Sequence, residues 1–161
     1  DAILAVFGAP IRQADHADRA LRAALAMRTA LAELNRQWDV DGTAEHWQAL
    51  GMADLGARVG IHSGEVVVGN IGSETRTKYA VIGETVNLTA AVEQLNKAVA
   101  TTLLLTEATR ARLQQSRDDL QSMGNHLIGG RDVPLEVYTV ATLLDAAATE
   151  VPIEGAAEPP E

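Results

Sequence analysis

The sequence predicts an α+β fold in which helices cover a β-sheet. Three observations carry this expectation. Short β-branched or Leu-rich runs bounded by glycine recur along the chain. Two longer segments place apolar residues at three- and four-residue steps, the spacing of an amphipathic helix. The two kinds alternate as strand–helix–hairpin–helix–strand–helix–strand–strand, an order that suits an α+β sheet. With 161 residues the chain is long enough for one hydrophobic core. Aromatic residues are only 3%, so Ala, Val, Leu and Ile must build that core.

Taken in order, residues 2–7 (Ala-Ile-Leu-Ala-Val-Phe) read as a buried strand ended by Gly8 and Pro10. Asp15 can cap a helix running to about Trp38, with Ala20, Ala24, Met27, Leu31, Leu34 and Trp38 as its apolar stripe. Residues 39–56 show no period and read as a connector. Residues 57–62 and 66–71 form two β-branched runs joined by Ser63-Gly64-Glu65, a hairpin signature with Gly64 supplying positive φ. Residues 79–82 are a short strand closed by Gly83. A second helix follows over 84–96, burying Leu88, Val92, Leu95 and Val99. Residues 102–105 read as a strand, 107–114 as a short helix, and 120–128 and 135–140 as the last two strands. From 143 to 161 Ala, Glu and Pro dominate, the composition of a disordered acidic linker or tail.

Composition excludes several classes. The net charge is −9 and no basic cluster exists, which argues against nucleic-acid binding and against an electrostatic membrane contact. No cysteine is present, so disulfides and thiolate metal sites are ruled out and a cytoplasmic setting is favoured. No apolar run approaches the ~20 residues of a membrane span. Asn87-Leu88-Thr89 matches a glycosylation acceptor by chance.

Common catalytic motifs are absent: no phosphate loop, no HExxH pair and no dinucleotide fingerprint. The four histidines share no ligand spacing, and His62 reads as a packed, turn-adjacent histidine. Glycines crowd the central strands at 60, 64, 69, 72 and 83. They mark either a bent sheet packed on helices or a surface that fits closely against a ligand or second subunit.

Three blocks then make a specific resemblance. They are Asp1-Ala-Ile-Leu-Ala-Val-Phe-Gly-Ala-Pro10, with Asp15-His16-Ala17 after it; Arg58-Val-Gly-Ile-His-Ser-Gly-Glu-Val-Val-Val-Gly-Asn-Ile-Gly72; and Tyr79-Ala-Val-Ile-Gly-Glu-Thr-Val-Asn-Leu88. In order and spacing the chain resembles the class III adenylate and guanylate cyclases over residues 1–142. The resemblance implies a ferredoxin-like antiparallel sheet with extra C-terminal elements, and two domains paired head to tail with active sites in the interface. It implies conversion of ATP or GTP to a 3′,5′-cyclic mononucleotide and pyrophosphate for intracellular signalling. Because Asp1 opens directly onto an apolar run, the domain's first strand–helix–strand segment is expected to be missing. The 161-residue chain alone is then expected to be inactive and marginally stable, with an unpaired strand. The resemblance implies a cytoplasmic domain, either on its own or as the cytoplasmic part of a larger, membrane-attached protein.

The chemistry is phosphoryl transfer, for which the family uses two Mg²⁺ or Mn²⁺ ions. Asp1 matches one of the two metal-bridging aspartates; otherwise it is a cap at a strand start. The other aspartate would lie upstream. Arg58 matches the arginine that grips the triphosphate, a contact that guanidinium suits; its alternative is a solvated strand-edge charge. Asn87 matches the asparagine that touches the ribose; its alternative is to cap its own helix. Three positions depart from the family. Ala91 replaces the arginine that stabilises the transferring phosphate, and Ala80 stands at the base-selecting position. Gly129 replaces a loop lysine, with Arg131 two residues on as a substitute phosphate contact. These departures leave two readings: a metal-holding partner in a complementary pair, or a catalytically degenerate module that dimerises or regulates. A ferredoxin-like domain unrelated to nucleotides is the third.

Overall fold

Among the described residues, two β-sheets of unequal size and four α-helices organise the fold. The computed structural model describes residues 2–51, 54–73 and 76–143. The helices are α1 (His16–Asp41), α2 (Thr43–Gln48), α3 (Glu84–Ala98) and α4 (Glu107–Arg110). The strands are β1 (Val59–Ile61), β2 (Val67–Ser73), β3 (Arg76–Ile82), β4 (Leu103–Thr106), β5 (Leu120–His126) and β6 (Leu135–Val140). The larger sheet runs β1-β4-β6-β5. Its β1–β4 pair is parallel, with Gly60 opposite Leu104, and its other pairs are antiparallel. A bulge between Ser122 and Asn125 bends β5. The smaller sheet is the β2–β3 hairpin, in register from Val67 opposite Ile82 to Ser73 opposite Arg76. The α+β class expected from the sequence is the one that forms.

Strand β4 is the centre. Leu103, Leu104 and Leu105 are all fully buried, and the two-residue period of a strand divides them. Leu103 and Leu105 pack with Leu21 and Ala24 of α1 and with Ile61, Tyr138 and Val140. Leu104 packs with Leu88 and Val92 of α3 and with Ile128 and Val137. Each such leucine contributes about 1.5–3 kcal/mol of burial. A buried amide adds specificity. Asn96 Nδ2 donates to Val59 O at 3.1 Å and Glu93 O at 3.0 Å, while its Oδ1 accepts from Thr101 Oγ1 at 2.9 Å. This fully satisfied side chain ties the last turn of α3 to β1 and takes a place on the buried stripe of α3 beside Leu88 and Val92.

Several local expectations are corrected. Residues 2–6 enter no ladder, and Ile3, Leu4 and Val6 are exposed. An apolar run carries the tendency to be buried but not the partner that buries it. Helix α1 hides Ala17, Leu21 and Ala24, whereas Met27 is exposed. The contact face therefore lies along the small residues, which let the helix approach the sheet. Asp15 precedes α1 but makes no side-chain cap; its carboxylate holds Arg19 at 2.8 Å. The expected connector contains the end of α1, a left-handed Gly42 and α2. Residues 57–62 and 66–71 do not form a hairpin: β1 pairs with β4, and β2 pairs with β3. Gly64 is absent from the positive-φ residues and is needed for space, because a Cβ there would stand 2.5 Å from Thr85 Oγ1. The tail from 144 to 161 lies outside the described residues.

Candidate active site

Helix α3 is the scaffold on which the candidate residues converge. It begins at Glu84 after Gly83, whose φ of 154° suits glycine. Strand β1 lies against it so closely that a Cβ on Gly60 would come 2.8 Å from both Glu93 Cα and Thr89 O. Two residues earlier, Arg58 donates through Nε to Glu93 Oε1 at 3.1 Å. The segment after β1 is pinned to the first turn of α3 by Thr85 Oγ1, which donates to Glu65 O at 2.7 Å. Gly60 and Gly83 therefore let the strand, the following loop and the helix start approach one another's backbone, and Gly64 leaves room for the Thr85 side chain.

The loop between β5 and β6 closes on the same helix. Gly129 and Gly130 take φ of 65° and 75°. A Cβ on Gly129 would lie 3.5 Å from Leu88 Cδ1 and 3.7 Å from Ala91 Cβ. Arg131 then reaches Glu84, its Nη1 donating to Oε1 at 2.7 Å. Gly129 and Arg131 thus lie along the N-terminal half of α3, Gly129 near Ala91 at its middle and Arg131 at its first residue. Asn87 is exposed in the first turn, inside the helix rather than at the N-cap, which is Gly83. Ala80 stands in the other sheet, on β3 opposite Gly69. Asp1 lies outside the described residues.

Electrostatics follow this packing. His62 is half-buried at the end of β1, its Nδ1 2.8 Å from Thr106 Oγ1. Burial, then the charges of Arg131 and Arg112, lower its pKa, and Glu84 opposes them. Beneath it, Ser63 Oγ donates to Thr109 Oγ1 at 3.1 Å. The expected packed histidine is what the structure shows. Among the described residues no group of three or more His, Cys, Asp or Glu side chains could hold a metal ion. The described part of the site therefore offers two guanidinium groups, each held by a carboxylate of α3, and the exposed amide of Asn87. Sequence reasoning passed over Glu84 and Glu93, the carboxylates that hold the two arginines. Glu84 follows Gly83 at a helix start, where an acidic residue has a ready explanation as a partner of the helix dipole.

Structural comparison defines the class. The guanylyl cyclase Cya2 superposes with a TM-score of 0.62 at 37% identity, over 84% of this chain and 62% of that one. The adenylyl cyclase CyaB from P. aeruginosa gives 0.62 at 28% identity, over 83% and 64%. In sequence, Adenylate cyclase 1 of Rhizobium meliloti (strain 1021) is 32% identical over 151 residues, 92% of this chain. The chain spans 21% of that relative's length. Residues 1–142 match the adenylate and guanylate cyclase catalytic domain family, and the chain belongs to that family. No helix among the described residues is long and apolar enough to cross a membrane.

Proposed function

We propose that this chain is part of a nucleotide cyclase that converts ATP or GTP to the 3′,5′-cyclic mononucleotide and pyrophosphate at the interface of two such domains. Residues 1–142 are its catalytic domain, followed by a linker, on the cytoplasmic side of whatever carries it. The observation that carries the reading is the docking of two guanidinium groups on one helix, Arg131 at Glu84 and Arg58 at Glu93. At 1.5 Å per residue these carboxylates are about 14 Å apart along α3. That separation supports giving the arginines to different half-sites, Arg58 to the triphosphate of one and Arg131 with Asn87 to the other. Guanidinium neutralises phosphate charge by paired hydrogen bonds, and the Asn87 amide can orient a ribose hydroxyl towards the α-phosphate. Asp1 enters the reading as one ligand of a Mg²⁺ or Mn²⁺ pair, whose role is charge neutralisation. The steps assigned to the described residues are binding and alignment.

Mixing this chain, and the longer protein if it is part of one, with a cyclase domain that retains the arginine missing at Ala91 tests the reading. Cyclic nucleotide formation in the mixture should exceed that of either component. Equal activity from the chain alone would overturn the complementary-pair scheme. A second reading, a catalytically degenerate module that dimerises or regulates, draws on the closeness of Gly129 and Ala91, where a Cβ added to the glycine would lie 3.7 Å from Ala91 Cβ. There two small residues fill the place where the family carries cations.

A further inference from the structure

We infer that Glu84 is a positioning residue for phosphate recognition, fixing Arg131 while leaving most of its guanidinium free to meet a triphosphate. The inference rests on the reading of Arg131 as a phosphate contact. It starts from the geometry of one ion pair. Glu84 Oε1 accepts from Arg131 Nη1 at 2.7 Å across 47 residues of sequence, and no second bond from this guanidinium to Glu84 is formed. Arginine presents five N–H donors in a planar fork, so a single contact at Nη1 leaves the opposite edge able to grip an anion bidentately. The carboxylate is well placed to act as a buttress. It belongs to the first residue of α3, and Asn87 follows three residues later, so both lie on one helix face.

The backbone on the other side is restrained as well. Gly129 and Gly130 turn the loop through left-handed conformations, a Cβ on Gly129 would meet Leu88 and Ala91, and Arg131 N donates back to Ile128 O at 3.3 Å. Arg131 therefore leaves a fixed loop and ends on a fixed helix. A long side chain held at both ends loses less rotamer freedom on meeting a ligand, which is the gain from preorganisation. The opposite role for Glu84 is also chemically defined. A carboxylate that merely occupied Arg131 would compete with phosphate, and its removal would tighten anion binding.

The two roles predict opposite signs. Dissociation constants for ATP with Mn²⁺, and for inorganic tripolyphosphate, are measured by calorimetry on the wild-type chain and on Glu84→Ala, Glu84→Asp, Arg131→Ala and the double Glu84→Ala/Arg131→Ala variant. Glu84 is a mostly exposed side chain, so its substitution leaves the fold intact. The expected result is a three- to tenfold weaker affinity in Glu84→Ala and recovery of at least half of that loss in Glu84→Asp. Arg131→Ala is expected to lose at least tenfold, with no further loss in the double variant. Tighter or unchanged binding in Glu84→Ala, alongside weaker binding in Arg131→Ala, overturns the inference and leaves the phosphate reading of Arg131 standing. Unchanged binding in Arg131→Ala, or no binding by the wild-type chain, overturns both.

Discussion

Gly60 lies against the backbone of Glu93 with no room for a side chain: a Cβ there would stand 2.8 Å from Glu93 Cα and from Thr89 O. The obstacle is helix backbone, which cannot swing aside as a side chain can. Gly60→Ala must therefore push β1 from α3 and loosen both clusters that meet at β4. Overpacking of this kind costs about 2–3 kcal/mol. The expected outcome is a fall in Tm of about 5–10 °C, read by calorimetry or circular dichroism. A variant melting within 2 °C of wild type would show that strand and helix separate freely.

Arg58 immediately precedes that strand, and its pair with Glu93 is part-exposed, with side-chain exposures of 40% and 28%. Pairs of this kind contribute about 0–1 kcal/mol, so the arginine is a poor candidate for a stabilising role. Arg58→Ala should leave Tm within about 2 °C of wild type. If Arg58 grips the triphosphate, the same variant weakens ATP binding at least tenfold, measured by calorimetry with Mn²⁺. A large loss of stability with unchanged binding would reverse the assignment.

Strands and helices were legible where one face meets one core. Residues 135–140 and the start of α3 fall where their patterns put them. Pairing was not legible, since β1 and β2 look like the arms of a hairpin until β4, some forty residues later, takes β1 as its parallel neighbour. The spacing that marks Gly64 as a turn says nothing of Thr85, the side chain that needs its missing Cβ. The candidate site divides in the same way. Arg58, Asn87, Ala91, Gly129 and Arg131 could be singled out by motif, but Glu84 and Glu93 acquire meaning only once the chain is folded around α3. Residues 2–7 show the limit most plainly, for their apolarity is visible and their burial depends on a partner that no local pattern names.

His62 gives a pH dependence whose sign can be worked out. Burial and the neighbouring Arg131 and Arg112 lower its folded pKa below the ordinary ~6.5 of an imidazole, with Glu84 in opposition. Between the lowered value and ~6.5 the unfolded chain binds more protons, so stability rises with pH. This contribution is complete above ~6.5 and is lost as pH falls through the folded value. The wild-type urea midpoint should decline from about pH 7 to pH 5 more steeply than that of His62→Asn. Carboxylates titrating in the same range are common to both proteins and cancel in the comparison. Parallel profiles would mean that folding leaves the proton affinity of the ring unchanged.

Ala91 decides between the two functional readings, and its surroundings set what restoring a cation there can do. Its Cβ lies 3.7 Å from the place a Gly129 Cβ would take, and Gly129 is held down by the Arg131–Glu84 pair two residues on. An arginine at 91 must lift that loop or run beneath it. Ala91→Arg should therefore lower Tm by a few degrees, at about 2–4 °C per kcal/mol for a chain of this size. If the site is otherwise competent, the new guanidinium supplies transition-state charge, an effect worth ~10³–10⁵ where arginine fingers do it. Part of that is offset by moving the loop, so a gain of at least tenfold in cyclic AMP or cyclic GMP formation, assayed with the partner domain present, is the expected outcome. Adding Glu84→Ala frees the loop and should recover some of the lost Tm. A folded Ala91→Arg protein with unchanged turnover would instead place the chain among modules that keep the cyclase fold for pairing or regulation.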